Sequence, residues 1–212
     1  MPLVIFDLDN TLVDRAASFR AWAEGLVSRL GLDPAEVAWL TAADGDGFTP
    51  RPEYLSAVRD RYGWDRPLDA LLDEYRRDIV AAIGPDPAVN GALDRLRAAG
   101  WRVAIATNGD TDQQWNKIRR AGLDGRADGI AVSAEVGCAK PDRRMFEAAA
   151  ARSGVPLTGA WMVGDCPIRD IGGGRAAGLR TVWMRRGRDW DAAEPPPDAT
   201  ADSIAEAVGV IM

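Results

Sequence analysis

The chain has 212 residues, of which 47% are hydrophobic and 27% charged. Its formal net charge is −6, a balance suited to a globular core with room for an insertion but not to a nucleic-acid partner. No run of about 18 apolar residues predicts a membrane-spanning helix, and no basic leader precedes the apolar N-terminal stretch, so the expectation is a cytoplasmic protein with no membrane partner. There is no histidine, which excludes every His-based triad, base and metal cluster. Cys138 and Cys166 stand singly, without the spacing of a zinc site or disulfide scaffold.

In chain order, the first predicted element is a strand over 2–8, "PLVIFDL". From Arg15 to Ile83 the pattern is helical in period with little strand signal: "AASFRAWAEGLVSRLG", "DPAEVAWLTA", "RPEYLSAVRDRYG" and "PLDALLDEYRRDIVAAIG". A helix at 87–99 then leads into alternating short apolar runs and amphipathic stretches. "WRVAIAT" (101–107), "DGIAVS" (128–133), "GAWMVGD" (159–165) and "TVWMR" (181–185) read as strands. "TDQQWNKIRRAG", "KPDRRMFEAAAARSG" and the segment 167–177 read as helices, and "EPPPDAT" (194–200) as a rigid loop before a short final helix. The fold class predicted is α/β: a parallel five-stranded Rossmann-like core over 1–14 and 84–212, with an all-helical insertion over 15–83 after the first strand.

In open α/β sheets, ligands bind beyond the carboxyl ends of the strands. The strand ends here carry Asp7, Asp9, Asn10 and Thr11; Thr107, Asn108 and Gly109; Lys140 before "PDRR"; and Asp165 and Asp170 in "GDCPIRD". Asp7 and Asp9 are the most informative. Strand alternation would set both on one side of an apolar run, where like charges call for a cation. Carboxylates without His or Cys select a hard cation, best Mg2+, with Asp7 and Asp165 as direct ligands and Asp170 as a supporting acid. An ionised Asp is then the best nucleophile available, and a second Asp is placed to protonate a leaving alkoxide and deprotonate the attacking water. Thr107 offers a hydroxyl and Asn108 a backbone N–H to phosphoryl oxygens, and Lys140 supplies a compact positive charge. Of 26 basic residues only Lys117 and Lys140 are lysines, so a Lys at position 140 carries information in a chain that otherwise uses Arg.

"DLDNT", "TNG", Lys140 in "KPD", and "VGDCPIRD" together resemble the four ordered motifs of the haloacid dehalogenase superfamily, and "GGGRAAGLRTVW" continues the pattern. The likeness covers nearly the whole chain. It is the ordered set, rather than any one motif, that is specific. The helical insertion is similar to the small helical cap of that superfamily, and "TNGDTDQQWNKI" resembles its small-metabolite phosphatases. The resemblance implies a Rossmann-like core, Mg2+, Asp7 as nucleophile, and Asp9 as general acid/base with its backbone carbonyl on the metal. It also implies Thr107 and Lys140 at phosphate-binding and charge-balancing positions, Asp165 as metal ligand and Asp170 as supporting acid. The activity expected is hydrolysis of a small-molecule phosphate monoester through an aspartyl-phosphate, by a monomer or homodimer. A 2-haloacid dehalogenase or phosphomutase of the same superfamily, and a non-catalytic phosphate-binding module, are the alternatives.

Specificity is expected in the insertion, where "DGDGFTPRPEY" (44–54) breaks the helical pattern and offers Phe48 and Arg51 as substrate contacts. Asp14, Asp110 and Asp112 read as helix-start residues. "GGGRAA" (172–177), with Asp191 beyond it, formally fits a dinucleotide fingerprint. Its glycines, however, fall inside a helical segment rather than in the opening turn after a strand, so no nucleotide cofactor is expected.

Overall fold

The computed structural model describes residues 1–190 and 195–212; Asp191 and Glu194, the first residue of the 194–200 loop, lie outside the described residues. The chain divides into two compact units, one formed by Met1–Val13 with Gly84–Met212 and the other by Asp14–Ile83. Among the described residues, no helix is long and apolar enough to cross a membrane.

The first unit is built on a sheet of six parallel strands: β1 (Leu3–Phe6), β2 (Arg102–Thr107), β3 (Gly129–Val132), β4 (Trp161–Gly164), β5 (Arg180–Met184) and β6 (Ala199–Ala201). Their order is β3-β2-β1-β4-β5-β6. All four residues of β1 are buried, as a strand covered on both faces requires. Leu3 and Ile5 pack with Ala104, Ala106, Met162 and the helix Arg143–Arg152, whose Met145, Phe146 and Ala149 are fully buried. The helix Pro87–Ala98 lies against β2, and the final helix Ile204–Ile211 against it in turn. Five strands were expected and six are found. The additional strand has three residues behind a run of prolines, too short for any periodic signal. It forms because β5 offers an unpaired edge and because Asp198 accepts from both the Thr181 N–H (2.8 Å) and the Thr181 hydroxyl (2.9 Å).

Two local departures shape the carboxyl edge. β1 stops at Phe6, and Leu8 carbonyl then accepts from the N–H groups of Thr11, Leu12 and Val13 in a tight loop, with Asn10 at φ 61°. Strand alternation therefore does not govern Asp7 and Asp9; the loop does. After β4, the expected helix begins as a π-helical turn over Pro167–Gly172, in which Ile171 N–H reaches Cys166 carbonyl, and only then becomes the short α-helix Gly173–Ala176. Such wide turns recur where a side chain must be aimed into a site. The glycines 172–174 fall inside this segment, as the rejection of a dinucleotide loop assumed.

The second unit comprises the helices α1 (Arg15–Leu30), α2 (Glu36–Asp44), α3 (Arg51–Tyr62) and α4 (Leu68–Ala81), with a 3-10 turn at Gly45–Gly47. Asp14 caps α1 by accepting from Ala17 N–H at 2.8 Å. Residues 15, 18, 19, 22, 23, 26 and 27 of α1 are buried, one helical stripe. Phe19, Trp22, Tyr54 and Tyr75 form an aromatic cluster with ring centroids 5.0–6.2 Å apart. Beside it sits a buried ionic knot. Asp44, 1% exposed, receives two hydrogen bonds from Arg15 (2.7 and 2.6 Å) and one from Arg51 (2.5 Å). Burial opposes the Asp44 charge, but the two guanidinium groups outweigh it and hold its pKa below the ordinary value. Truncating Asp44 would leave the buried Arg15 guanidinium and the partly buried Arg51 guanidinium without the carboxylate they share. Asp44→Ala is therefore expected to destabilise the helical unit by roughly 3–5 kcal/mol, read as an earlier denaturant transition by far-ultraviolet circular dichroism.

Candidate active site

Strand order reverses at β1, which has β2 on one side and β4 on the other, so the chain leaves the two neighbouring strand ends in opposite directions and opens a crevice between them. Asp7 follows β1 and Asp165 follows β4, across that crevice from each other. Asp7 N–H still donates to Val163 carbonyl at 2.9 Å, which ties its backbone to the sheet. Asp170 reaches the same place from the π-helical turn, its carboxylate accepting from Cys166 N–H at 3.0 Å. Gly164 makes this approach possible, because a Cβ there would collide with the Asp170 carboxylate. The result is a group of three buried acids, Asp7, Asp165 and Asp170, with carboxylate oxygens within 4.8 Å of one another.

Lys140 stands among them. Its ammonium donates to Asp7 at 2.6 Å and to Asp170 at 2.7 Å, and its side chain is only 2% exposed. Asn108 fixes the Lys140 backbone from both sides, accepting from its N–H at 2.8 Å and donating to its carbonyl at 3.0 Å. Burial pushes the Asp7 carboxyl up, to about 8, and Asp170 and Asp165 push the same way; Lys140 only partly offsets them. Asp165 is raised to about 6, by burial and then by Asp170, against the pull of Arg186 and Arg188. Burial opposes the Lys140 charge, but Asp170 and Asp7 hold its pKa above the ordinary value. Excess negative charge concentrated on oxygen ligands, with no nitrogen or sulfur donor, fits a hard divalent cation.

Asp9 is handled differently. Its carboxylate receives the Lys117 ammonium at 2.8 and 2.7 Å and the Gln114 amide at 3.1 Å. The same Gln114 nitrogen donates to Thr107 Oγ1 at 2.6 Å, which leaves the Thr107 hydroxyl proton directed at another acceptor. Gln114 and Lys117 lie three apart on the helix Thr111–Arg120, N-capped by Asp110, with Asp112 in its first turn. Gly109 leaves room for Gln114; a Cβ there would come within 2.9 Å of its side chain.

The structure thus brings together Asp7, Thr107, Asn108, Lys140, Asp165 and Asp170 at one crevice, with Asp9 at its edge. Phe48 and Arg51 belong to the helical unit. Phe48 is half exposed, whereas the Arg51 guanidinium is engaged by Asp44, Tyr75 Oη (3.0 Å) and Thr49 carbonyl (2.5 Å), because a buried carboxylate draws in the nearest cations. Four partners escaped the sequence reading: Gln114, Lys117, Arg186 and Arg188. Arg186 donates to the Asp165 carboxylate at 3.1 Å, and Arg188 to its carbonyl at 2.7 Å and its carboxylate at 3.3 Å. Trp183 also donates to the Asp165 carbonyl (2.9 Å), and Trp190 packs edge-on against Trp183 with ring centroids 4.9 Å apart. Polar Gln114 and Lys117 on the buried stripe with Ile118, one of them a rare Lys, were the available signal. Cys166 accepts from Arg169 N–H and caps the wide turn, and Cys138 packs on the core, both as small residues.

Comparison with known proteins bears on this geometry. A model of the haloacid dehalogenase-like hydrolases matches residues 1–178. The chain is 38% identical to the phosphoserine phosphatase of Thermus thermophilus, over 97% of each chain. It is 30% identical to the glyceraldehyde 3-phosphate phosphatase of Pyrococcus abyssi, over 88% of this chain and 82% of the other. Among solved structures, the putative hydrolase YfnB of Bacillus subtilis, bound to magnesium, superposes with a TM-score of 0.82 at 24% identity, over 99% of this chain and 98% of the other. That likeness speaks to the fold. With the match over most of its length and the acids of its motifs converging at the strand-order reversal, the chain belongs to the haloacid dehalogenase-like hydrolase family.

Proposed function

We propose that this phosphoric monoester hydrolase releases phosphate from a small phosphorylated metabolite through an aspartyl-phosphate on Asp7, with Mg2+ as its metal. The observation that supports this reading most is the separation of the two neighbouring acids. Asp7 joins a metal-type carboxylate cluster under Lys140, while Asp9 is turned to Lys117 and Gln114. Two carboxyl groups in two environments suit two roles. The names of the relatives, phosphoserine, glyceraldehyde 3-phosphate, phosphoglycolate and ribulose-1,5-bisphosphate phosphatases, favour a small phosphorylated metabolite, most of them one of two or three carbons. We place the enzyme in the cytoplasm as a monomer or homodimer, with the helical unit as a cap in which Phe48 contacts substrate.

In this mechanism an Asp7 carboxylate oxygen attacks phosphorus and the ester P–O bond breaks. Asp9 gives its proton to the leaving alkoxide, and the alcohol departs. Asp9 then takes a proton from a water that attacks the phosphorus of the acyl phosphate, which releases phosphate and restores Asp7. The Thr107 hydroxyl donates to a phosphoryl oxygen and Lys140 balances its charge, while Asn108 holds Lys140 in register. Asp7, Asp165 and the Asp9 carbonyl would hold Mg2+, with Asp170 in support; bound there, it would neutralise phosphoryl charge and the repulsion among the acids.

A screen of phosphoserine, phosphoglycolate, sugar phosphates, glycerol phosphates and nucleotides with Mg2+, read as phosphate release, tests the reading. Asp7→Asn is expected to lower turnover by at least about 10³-fold while the protein stays folded, since the carboxylate is a reactant rather than a packing element. Retention of more than a few per cent of activity would remove the covalent step. Excess chelator is expected to stop turnover and Mg2+ to restore it; full phosphate release in chelator would remove the metal from the mechanism.

A pH effect follows from the raised carboxyls. Without metal, Asp7 and Asp165 keep protons in the folded state up to about 8 and 6, whereas the unfolded chain loses them near 3.8. The folded state then binds more protons than the unfolded, so these groups contribute less stability as pH rises from 4 to 8. The advantage of Asp7→Asn over the wild-type chain in metal-free melting temperature should therefore widen across that window. Mg2+ displaces the same protons, so its affinity by calorimetry should strengthen between pH 5.5 and 8.

A further inference from the structure

Both lysines of the chain lie in this site, although 26 basic residues are available and all the others are arginines. Lys140 serves the Asp7 cluster. Lys117 serves nothing in the mechanism above, yet its side chain is 5% exposed and both of its bonds go to one carboxylate, that of Asp9. A buried ammonium that only needed a counter-ion would be satisfied by any acid. This one grips both oxygens of the residue that must exchange a proton with the substrate. Gln114 adds a third bond to the same carboxylate and links it to Thr107.

We propose that Lys117, with Gln114, is a positioning residue that fixes the Asp9 carboxylate for proton exchange with the leaving oxygen. The inference rests on the phosphatase reading above. The geometry supports it in three ways. Asp9 sits in the tight loop beyond β1, bridged to Val13 within that loop rather than paired into the sheet, and its side chain is 25% exposed. Lys117 holds both carboxylate oxygens, and Gln114 adds a second donor to one of them, so the carboxylate is gripped at both ends. A compact ammonium fits there, where a planar guanidinium would need a wider space and a different fork, which gives a physical reason for a Lys in an Arg-rich chain. Finally, the clamp is carried by a helix, with both members on one face and Gly109 clearing the space that the Gln114 side chain occupies. Orientation of this kind matters because misplacing a catalytic group by about 1 Å costs on the order of 10²-fold in rate.

The test compares two esters with Lys117→Met. One is the alkyl phosphate turned over best in the screen, whose leaving alkoxide needs a proton. The other is 2,4-dinitrophenyl phosphate, whose leaving phenolate does not. kcat/KM reports the steps up to departure of the leaving group, before the acyl phosphate is hydrolysed. For the alkyl ester it should fall by roughly 10–100-fold in Lys117→Met, and for the aryl ester by less than about 3-fold, with Mg2+ affinity by calorimetry retained. Lys117→Gln keeps one donor and should show the same selectivity with a smaller loss, and it carries the comparison if Lys117→Met does not fold. Equal losses on both esters, no loss on either, or failure of both variants to fold would overturn the proposal and leave Lys117 a plain counter-ion. A screen in which the wild-type protein turns over no ester would instead overturn the phosphatase reading on which it rests.

Discussion

Three carboxylates converge at the reversal in strand order, and Lys140, bonded to two of them, makes that convergence tenable. Buried acids within 4.8 Å of one another repel and lose their hydration. The Lys140 ammonium offsets part of this at Asp7, and Arg186 and Arg188 offset part of it at Asp165, while burial keeps both carboxyls raised. Much of the local structure can be understood as support for that arrangement. Asn108 pins the Lys140 backbone, Gly164 clears the way for Asp170, and the wide turn after β4 carries Asp170 inward. Arg186 and Arg188 steady Asp165 from the loop beyond β5.

The other acid of the first motif belongs to a different electrostatic neighbourhood. Asp7 and Asp9 are two residues apart, but each has its own ammonium, Lys140 for one and Lys117 for the other. The loop after β1, not strand alternation, separates them. This gives adjacent carboxyl groups distinct surroundings, which is the physical condition for using one as a nucleophile and the other as a proton carrier. Gln114 joins the two halves of the site by contacting both Asp9 and the hydroxyl of Thr107.

The helical unit shows the same principle used for stability rather than chemistry. Asp44 is buried with two guanidinium groups beside an aromatic cluster, and one of those groups belongs to Arg51. An arginine in a Gly- and Pro-rich loop reads in sequence as a surface donor. In the folded unit it closes a buried ion pair, and the exposed side chain of that loop is Phe48.

Periodicity and motif order were enough to read the α/β class, the helical stretch over 15–83, the strands from β1 to β5, and the acids and Lys140, because these depend on local pattern and on chemistry that few residue types can perform. β6 was not legible, since three residues carry no period and pair only because an edge of β5 and the Asp198 carboxylate receive them. Nor were Lys117 and Gln114, more than a hundred residues from Asp9 in the chain, or Arg186 and Arg188. Which acid an ammonium pairs with is decided by the packing of a helix face against a loop. The sequence by itself determined that Asp7, Lys140, Asp165 and Asp170 would stand at strand ends on one edge of the sheet. Only the tertiary structure decided which cation meets which carboxylate, because electrostatic partnership depends on distance and burial, and both are set by packing rather than by order along the chain.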